Sequence, residues 1–322
     1  MRLTTTADIE QASARIRGVA VQTPLVDVST RARRPLWLKC ENLQVTGSFK
    51  LRGAYNMVSR LPEEVRRRGV ITYSSGNHAQ ALAYAARVLN VPAVVVMPTT
   101  ASAIKVDGAR GYGAEILREG TTSLERRGRA EQVALDRGLT IVPPFDHEDI
   151  VAGQGTVGLE ILDALPAVSR VYVPLGGGGL LSGVSAAVVQ AKPSAKVIGV
   201  EPVGAAKMTA SLAAGHPVTL KSVGSVADGL LPVRPGDLTF AHVQRFVDQV
   251  VTVPDEAIER AVAWLFRHAK LVVEPSGAAA VAALLADADA GEGATGEKTV
   301  AVLSGGNVAP STLVEIMARA GD

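Results

Sequence analysis

The sequence predicts an α/β protein built on mostly parallel sheets, and three observations carry that prediction. Short continuous Val/Ile runs alternate with segments of helical period along most of the chain. Such runs are what strands covered on both faces look like. The junctions from run to helix hold Gly, Ser and Asn clusters, at the strand ends where α/β proteins bind ligands. The third observation is length. At 322 residues the chain exceeds what one hydrophobic core usually supports, so two lobes, or one large unit with a smaller one embedded, are expected.

Taken in order, Leu36–Cys40 is the first clear strand. Val70–Tyr73 is a short buried strand, followed by helical spacing over Ala79–Leu89. Ala93–Met97 is closed by Pro98, and a helix then runs through Ala109. Glu115–Leu117 is a third strand in this stretch, and Leu124–Arg137 a charged helix. Val171–Pro174 runs into four glycines and another helix. Val197–Val200 and Val300–Leu303 repeat the strand pattern, and Ala286–Gly296 reads as a loop.

Composition narrows the function classes. Thirty-three basic against 31 acidic residues leave a net charge of +2, too small to argue for nucleic acid or an anionic membrane. Arg66–Arg68 follow Glu63 and Glu64 and read as a solvated helix face. No run of about 18 apolar residues exists, so no membrane span is predicted. The one cysteine, Cys40, sits in a strand and reads as a buried inert thiol; with no intrachain partner it fits a reducing compartment. The opening residues hold no apolar signal segment. A cytoplasmic protein is expected.

Four clusters carry chemistry. Gly47 and Ser48 look like a turn and a helix N-cap, with Lys50 in the first turn and Phe49 as an apolar wall. An amine in such a place can lose its proton and become nucleophilic. Taken alone, Lys50 reads as an ordinary surface lysine at a helix start. Ser74-Ser75-Gly76-Asn77-His78 follows a buried strand and precedes a helix; its hydroxyls, amide and free N–H groups make a carboxylate cradle. His78 reads as a structural residue of the first turn. Gly176-Gly177-Gly178-Gly179 lets the backbone wrap a phosphate, with the helix dipole adding attraction. It lacks the Lys-Ser/Thr of a P-loop and the spacing of a dinucleotide fingerprint. Ser304, in Ser304-Gly305-Gly306-Asn307, presents a hydroxyl at a strand end, or is simply a turn.

An amine, a carboxylate cradle, a phosphate cradle and a presented hydroxyl match the parts of a pyridoxal 5'-phosphate (PLP) site. The sequence resembles the fold-type II PLP enzymes, the tryptophan synthase β-like family, and within it the threonine/serine dehydratase and serine racemase branch. The resemblance rests on Thr23-Pro24-Leu25, Glu41-Asn42-Leu43-Gln44, Ser48 to Ala54, Ala152-Gly153-Gln154-Gly155-Thr156, the tetraglycine, Ala227-Asp228-Gly229 and Ser304 to Asn307, and it covers nearly the whole chain.

The resemblance implies two three-layer domains with PLP in the cleft between them: a large one from residues 1–68 and 147–322, and an inserted mobile one from 69–146. Lys50 holds PLP as a Schiff base and acts as the α-proton base. Phe49 packs near the ring, Asn77 bonds the 3'-oxygen, Gly176, Gly177, Gly178 and Gly179 hold the phosphate, and Ser304 bonds the pyridine nitrogen. A hydroxyl does not demand a protonated pyridine, so the ring is a milder electron sink, which favours elimination. Ser74, Ser75 and Asn77 hold the substrate carboxylate, and Ser75 matches the second acid/base of racemases. The implied activity is that of an ammonia-lyase converting L-threonine or L-serine to 2-oxobutanoate or pyruvate plus ammonia, in a homodimer. Serine racemase and 3-hydroxyaspartate dehydratase share this site; a β-replacement synthase and a non-catalytic PLP carrier are further alternatives.

Two departures and one further residue bear on this. Racemase-like relatives hold a cation through a glutamate, a backbone carbonyl and an aspartate. Here Glu201 and Ala205 match, but the aspartate position is Lys207, which either pairs with Glu201 in place of the ion or points to solvent. No metal is assigned. The chain ends soon after Ser304 and leaves no room for a C-terminal regulatory domain, so no isoleucine feedback is expected. Arg126 lies where relatives acting on acidic substrates place an arginine, but among Arg127 and Arg129 it reads as part of a solvated face.

Overall fold

Successive side chains of a strand point to opposite faces of its sheet, so each apolar run supplies two cores at once. The computed structural model describes residues 2–74, 76–101, 103–289 and 296–320. In chain order the strands are β1 (Leu25–Asp27), β2 (Leu36–Cys40), β3 (Val70–Tyr73), β4 (Ala93–Met97), β5 (Glu115–Arg118), β6 (Thr140–Ile141), β7 (Arg170–Pro174), β8 (Lys196–Pro202), β9 (Gln249–Val253) and β10 (Thr299–Leu303). One sheet has the order β1-β2-β10-β7-β8-β9, the other β5-β4-β3-β6. Among the strands of the described residues, β1 and β2 pair antiparallel and the other pairs are parallel. The strands of the second sheet are consecutive in the chain, between β2 and β7.

Alternation decides what each face meets. Val171, Val173, Val197, Val300 and Val302 pack on the helices Glu148–Ala164, Gly179–Ala191 and Asp237–Phe246. Their neighbours Tyr172, Ile198, Ala301 and Leu303 pack on Asp255–Trp264 and Pro275–Asp289. In the second sheet Ile71, Val94 and Val96 face the helix Ser123–Arg137, while Val95 and Met97 face Asn77–Val88 and Ala103–Gly111. Both sheets are thus covered on both faces, as the continuous apolar runs of the sequence predict. Cys40 is buried in the first core, where loss of hydration pushes its thiol up to about 12.

Two local expectations are corrected. The loop predicted from Ala286 starts later, because the alanine-rich helix continues to Asp289; residues 290–295 lie outside the described ones. Ser48 is not a side-chain N-cap. Phe49 stands at that position of the helix Lys50–Arg60, and the buried Ser48 hydroxyl has no partner. The Ser48 backbone instead bridges Gly305.

That bridge positions the site. Leu303 lies beside Cys40 at the end of β10, and the Phe49 N–H donates to the Ser304 carbonyl at 3.1 Å. The Lys50 helix therefore starts against the β10 terminus. Its base is anchored by fully buried Arg52, which donates to both Glu41 oxygens at 2.8 Å and reaches Glu160. A Cβ on Gly153 would lie 2.6 Å from the Gly53 Cα, so glycine at both points allows this helix to cross Glu148–Ala164 closely.

Candidate active site

Lys50 heads its helix with Nζ 5.0 Å from the centre of the Phe49 ring and 2.7 Å from the Pro144 carbonyl. Burial pushes its ammonium down from the ordinary 10.5 to about 8, because an enclosed apolar setting disfavours the charged form. His78, close enough to feel the Lys50 charge, is fully enclosed; burial and then Lys50 push its imidazole down to about 3. Its Nε2 lies 3.1 Å from the Val142 carbonyl. His78 is a neutral strut, in line with its position in the first turn.

The Ser74–His78 segment joins β3 to the helix Asn77–Val88. The Ser74 N–H donates to the Val96 carbonyl, and the Ser74 hydroxyl accepts from the Gly76 N–H at 3.2 Å. Ser75 lies outside the described residues. Asn77 is held from two sides: its Oδ1 accepts from Asn307 at 2.9 Å, and its amide donates to Glu274. Asn307 also donates to the Thr46 carbonyl. Asn77, Ser304 and the Lys50 helix start are thereby brought into one neighbourhood, with Gly305 wedged between Ser48, Asn77 and Glu274.

The tetraglycine leaves no room for side chains. A Cβ would lie 3.0 Å from the Gly229 carbonyl at Gly176, 2.7 Å from Thr239 at Gly178 and 3.0 Å from Phe145 at Gly179, and would overlap the Phe145 ring at Gly177. Gly178 also has φ +101°, a left-handed conformation that favours glycine. The helix Gly179–Ala191 begins here, so its first N–H groups, which have no intrahelical partner, point at the loop. Thr239 donates to the Gly177 carbonyl at 2.7 Å, and Asp146 accepts from the N–H groups of Asp237, Leu238 and Thr239. The strap carrying Pro144, Phe145 and Asp146 thus links Lys50 to the glycine loop.

Several site residues escaped the sequence reading. Glu274, 2% exposed, borders Asn77; burial is the main cause pushing its carboxyl up to about 7, against the pull of Lys105. Its one signal is a lone carboxylate after the apolar run Leu271–Val273. Lys105 pairs with Asp228, which joins the helix Ala103–Gly111 to the turn Asp228–Leu230. Asp146 and Phe145 gave no signal. Arg126 corrects an expectation: unlike exposed Arg127 and Arg129 it is 8% exposed, with Nη1 on the Thr121 carbonyl and Nε unpartnered. Lys207 does not point to solvent; it is buried against Glu201. Among the described residues no helix is long and apolar enough to cross a membrane.

The residues present fit PLP. The glycine cradle that a Cβ would fill suits a phosphate, the low-pKa lysine suits an aldehyde, and Ser304, only 4% exposed, offers a hydroxyl at the β10 end. A family profile for pyridoxal-phosphate dependent enzymes matches residues 16–305. The chain is 42% identical to the L-threonine ammonia-lyase of Thermotoga maritima over 307 residues, 94% of this chain and 76% of that one. It is 40% identical to the L-threo-3-hydroxyaspartate ammonia-lyase of Saccharomyces cerevisiae, covering 96% and 94%. Among solved structures, maize serine racemase superposes with a TM-score of 0.92 at 36% identity, covering 99% and 98%. The processed threonine deaminase isoform 2 of Solanum lycopersicum gives 0.91 at 38%, covering 100% and 96%. With the phosphate cradle, the lysine and the fold agreeing with these matches, the chain belongs to the pyridoxal-phosphate dependent enzymes of fold type II.

Proposed function

We propose that this enzyme is a PLP-dependent ammonia-lyase converting L-threonine, and L-serine as an alternative substrate, to 2-oxobutanoate or pyruvate plus ammonia. The observation that carries the proposal is Lys50: burial pushes its amine down to about 8, its charge is felt by His78, and the Pro144 strap ties it to the glycine loop. When bound, PLP draws electrons from the substrate Cα, which makes its proton removable and lets the β-hydroxyl depart.

The chain's own residues do the rest. Lys50 carries the cofactor, and its amine, once free, takes the α-proton; a pKa near the working pH suits a base. Gly176, Gly177, Gly178 and Gly179 hold the phosphate, Ser304 the pyridine nitrogen and Asn77 the 3'-oxygen, with Phe49 as the apolar wall that excludes water. Ser74 and the N-terminus of the helix Asn77–Val88 hold the substrate carboxylate, with Ser75 as their partner and as the acid/base of the opposite face. Glu274 orients Asn77. Residues 69–146 form a unit that closes over the substrate, with Lys105 and Asp228 as its latch. A homodimer belongs to this proposal and is tested by sedimentation. So does a cytoplasmic location, tested by fractionation.

Buried Arg126, with its unpartnered Nε, supports a second reading in which the substrate is L-threo-3-hydroxyaspartate. One experiment separates these. The PLP-loaded enzyme is given L-threonine, L-serine and L-threo-3-hydroxyaspartate side by side, and 2-oxo acid, ammonia and D-serine are quantified. Fastest release of 2-oxobutanoate supports the proposal. Preference for hydroxyaspartate supports the second reading, and D-serine in excess of pyruvate replaces both by racemisation.

A further inference from the structure

The proposed reaction leaves the buried charge of Lys207 unused. Lys207 opens the helix Lys207–Ala214 and its side chain is wholly inaccessible. Its Nζ lies 3.0 Å from the Ala205 carbonyl, 3.1 Å from that of Leu175, 3.1 Å from that of Leu230 and 3.2 Å from Glu201 Oε2. An ammonium has three N–H bonds, so four oxygens cannot each receive a hydrogen of their own. The arrangement is the oxygen shell of a compact point charge. Glu201 completes the balance: it accepts from the N–H groups of Met208 and Thr209 at 3.1 and 2.8 Å and from the Thr209 hydroxyl at 2.7 Å.

The family resemblance implies a bound cation at this place, and the residues present do not fit one. Glu201 and the Ala205 carbonyl are there, but the third position is Lys207, whose Nζ fills the space between them and whose charge repels a metal ion. Calcium sits about 2.3–2.6 Å and magnesium about 2.0–2.1 Å from oxygen, shorter than these contacts. Among the described residues no group of three or more His, Cys, Asp or Glu is placed to hold a metal ion.

The three carbonyls come from separate segments. Leu175 immediately precedes the tetraglycine. Leu230 closes the turn Asp228–Leu230, whose Gly229 carbonyl faces Gly176 and whose Asp228 pairs with Lys105. Ala205 ends the turn after β8. Carbonyl dipoles converging on one point repel each other unless a positive charge lies between them. We propose that Lys207 is a built-in cation: its ammonium fixes the glycine loop and the Asp228 turn, and it makes the protein indifferent to divalent metal.

The test reads the thermal unfolding midpoint and the absorbance of bound PLP, so it does not depend on which substrate is correct. Wild-type holoenzyme, dialysed against a chelator, is titrated with magnesium or calcium chloride against choline chloride at matched ionic strength. The midpoint and the cofactor absorbance should stay unchanged throughout. Lys207→Asp should lower the midpoint and recover it saturably with magnesium or calcium but not choline. Lys207→Ala should lower it and recover with ammonium or potassium chloride. Saturable stabilisation of the wild type by a divalent ion overturns the proposal. So do folded variants that keep the wild-type midpoint without added cation, or whose loss no cation restores. Should neither variant fold, the wild-type titration decides alone.

Discussion

Lys50 donates to the carbonyl oxygen of Pro144 at 2.7 Å, which ties the head of the helix Lys50–Arg60 to the strap between β6 and the helix Glu148–Ala164. The contact holds the amine in the enclosed setting that lowers its pKa to about 8.

Capture of PLP by the cofactor-free protein should therefore accelerate as pH rises through about 8 and then level off, because only the neutral amine attacks the aldehyde. Stopped-flow absorbance checks this. A rate that keeps climbing toward the ordinary lysine value of 10.5 would contradict it. Lys50→Ala should lower kcat by roughly 10²–10⁴-fold through loss of the α-proton base.

The glycine loop and Phe145 should be coupled. Gly177→Ala places a methyl in the Phe145 ring, an overpacking that costs about 1–3 kcal/mol, and should weaken PLP binding measured by fluorescence titration. Adding Phe145→Ala should restore part of that affinity. Equal losses in the single and double variants would show that the ring is not the obstacle.

Glu274 gives a pH-dependent stability of defined sign. Folded Glu274 keeps its proton to about pH 7, while the unfolded chain releases it near 4.5. The folded state binds more protons in that window, so stability falls as pH rises across it. Glu274→Gln should remove this slope, on the order of 3 kcal/mol between the two ends. Urea midpoints of both proteins across that range check it. Parallel slopes would sink the assignment.

Arg52 should matter more for folding than for chemistry. It and Glu41 are both fully buried, and removing one partner of such a pair costs about 3–5 kcal/mol. Arg52→Met should show that loss in equilibrium unfolding, and Glu41→Gln in the same background should recover part of it. An unchanged midpoint in Arg52→Met would mean that the network does not anchor the Lys50 helix.

The sequence by itself determined the α/β architecture and pointed to four candidate places: Lys50, the segment around Ser74 and Asn77, the tetraglycine and Ser304. Each was legible because its signal is local. Strand period, turn glycines and helix starts are written within a few residues. Tertiary structure alone decided what the local signal could not carry. Glu274 meets Asn77 across 197 positions, Lys105 meets Asp228 across 123, and Leu175, Leu230, Ala205 and Glu201 converge on Lys207. The pairings follow from the order of strands in the two sheets, to which periodicity is blind. Tertiary structure also set the charge states. The same burial that lowers the Lys50 pKa raises that of Glu274, because loss of hydration penalises whichever form is charged.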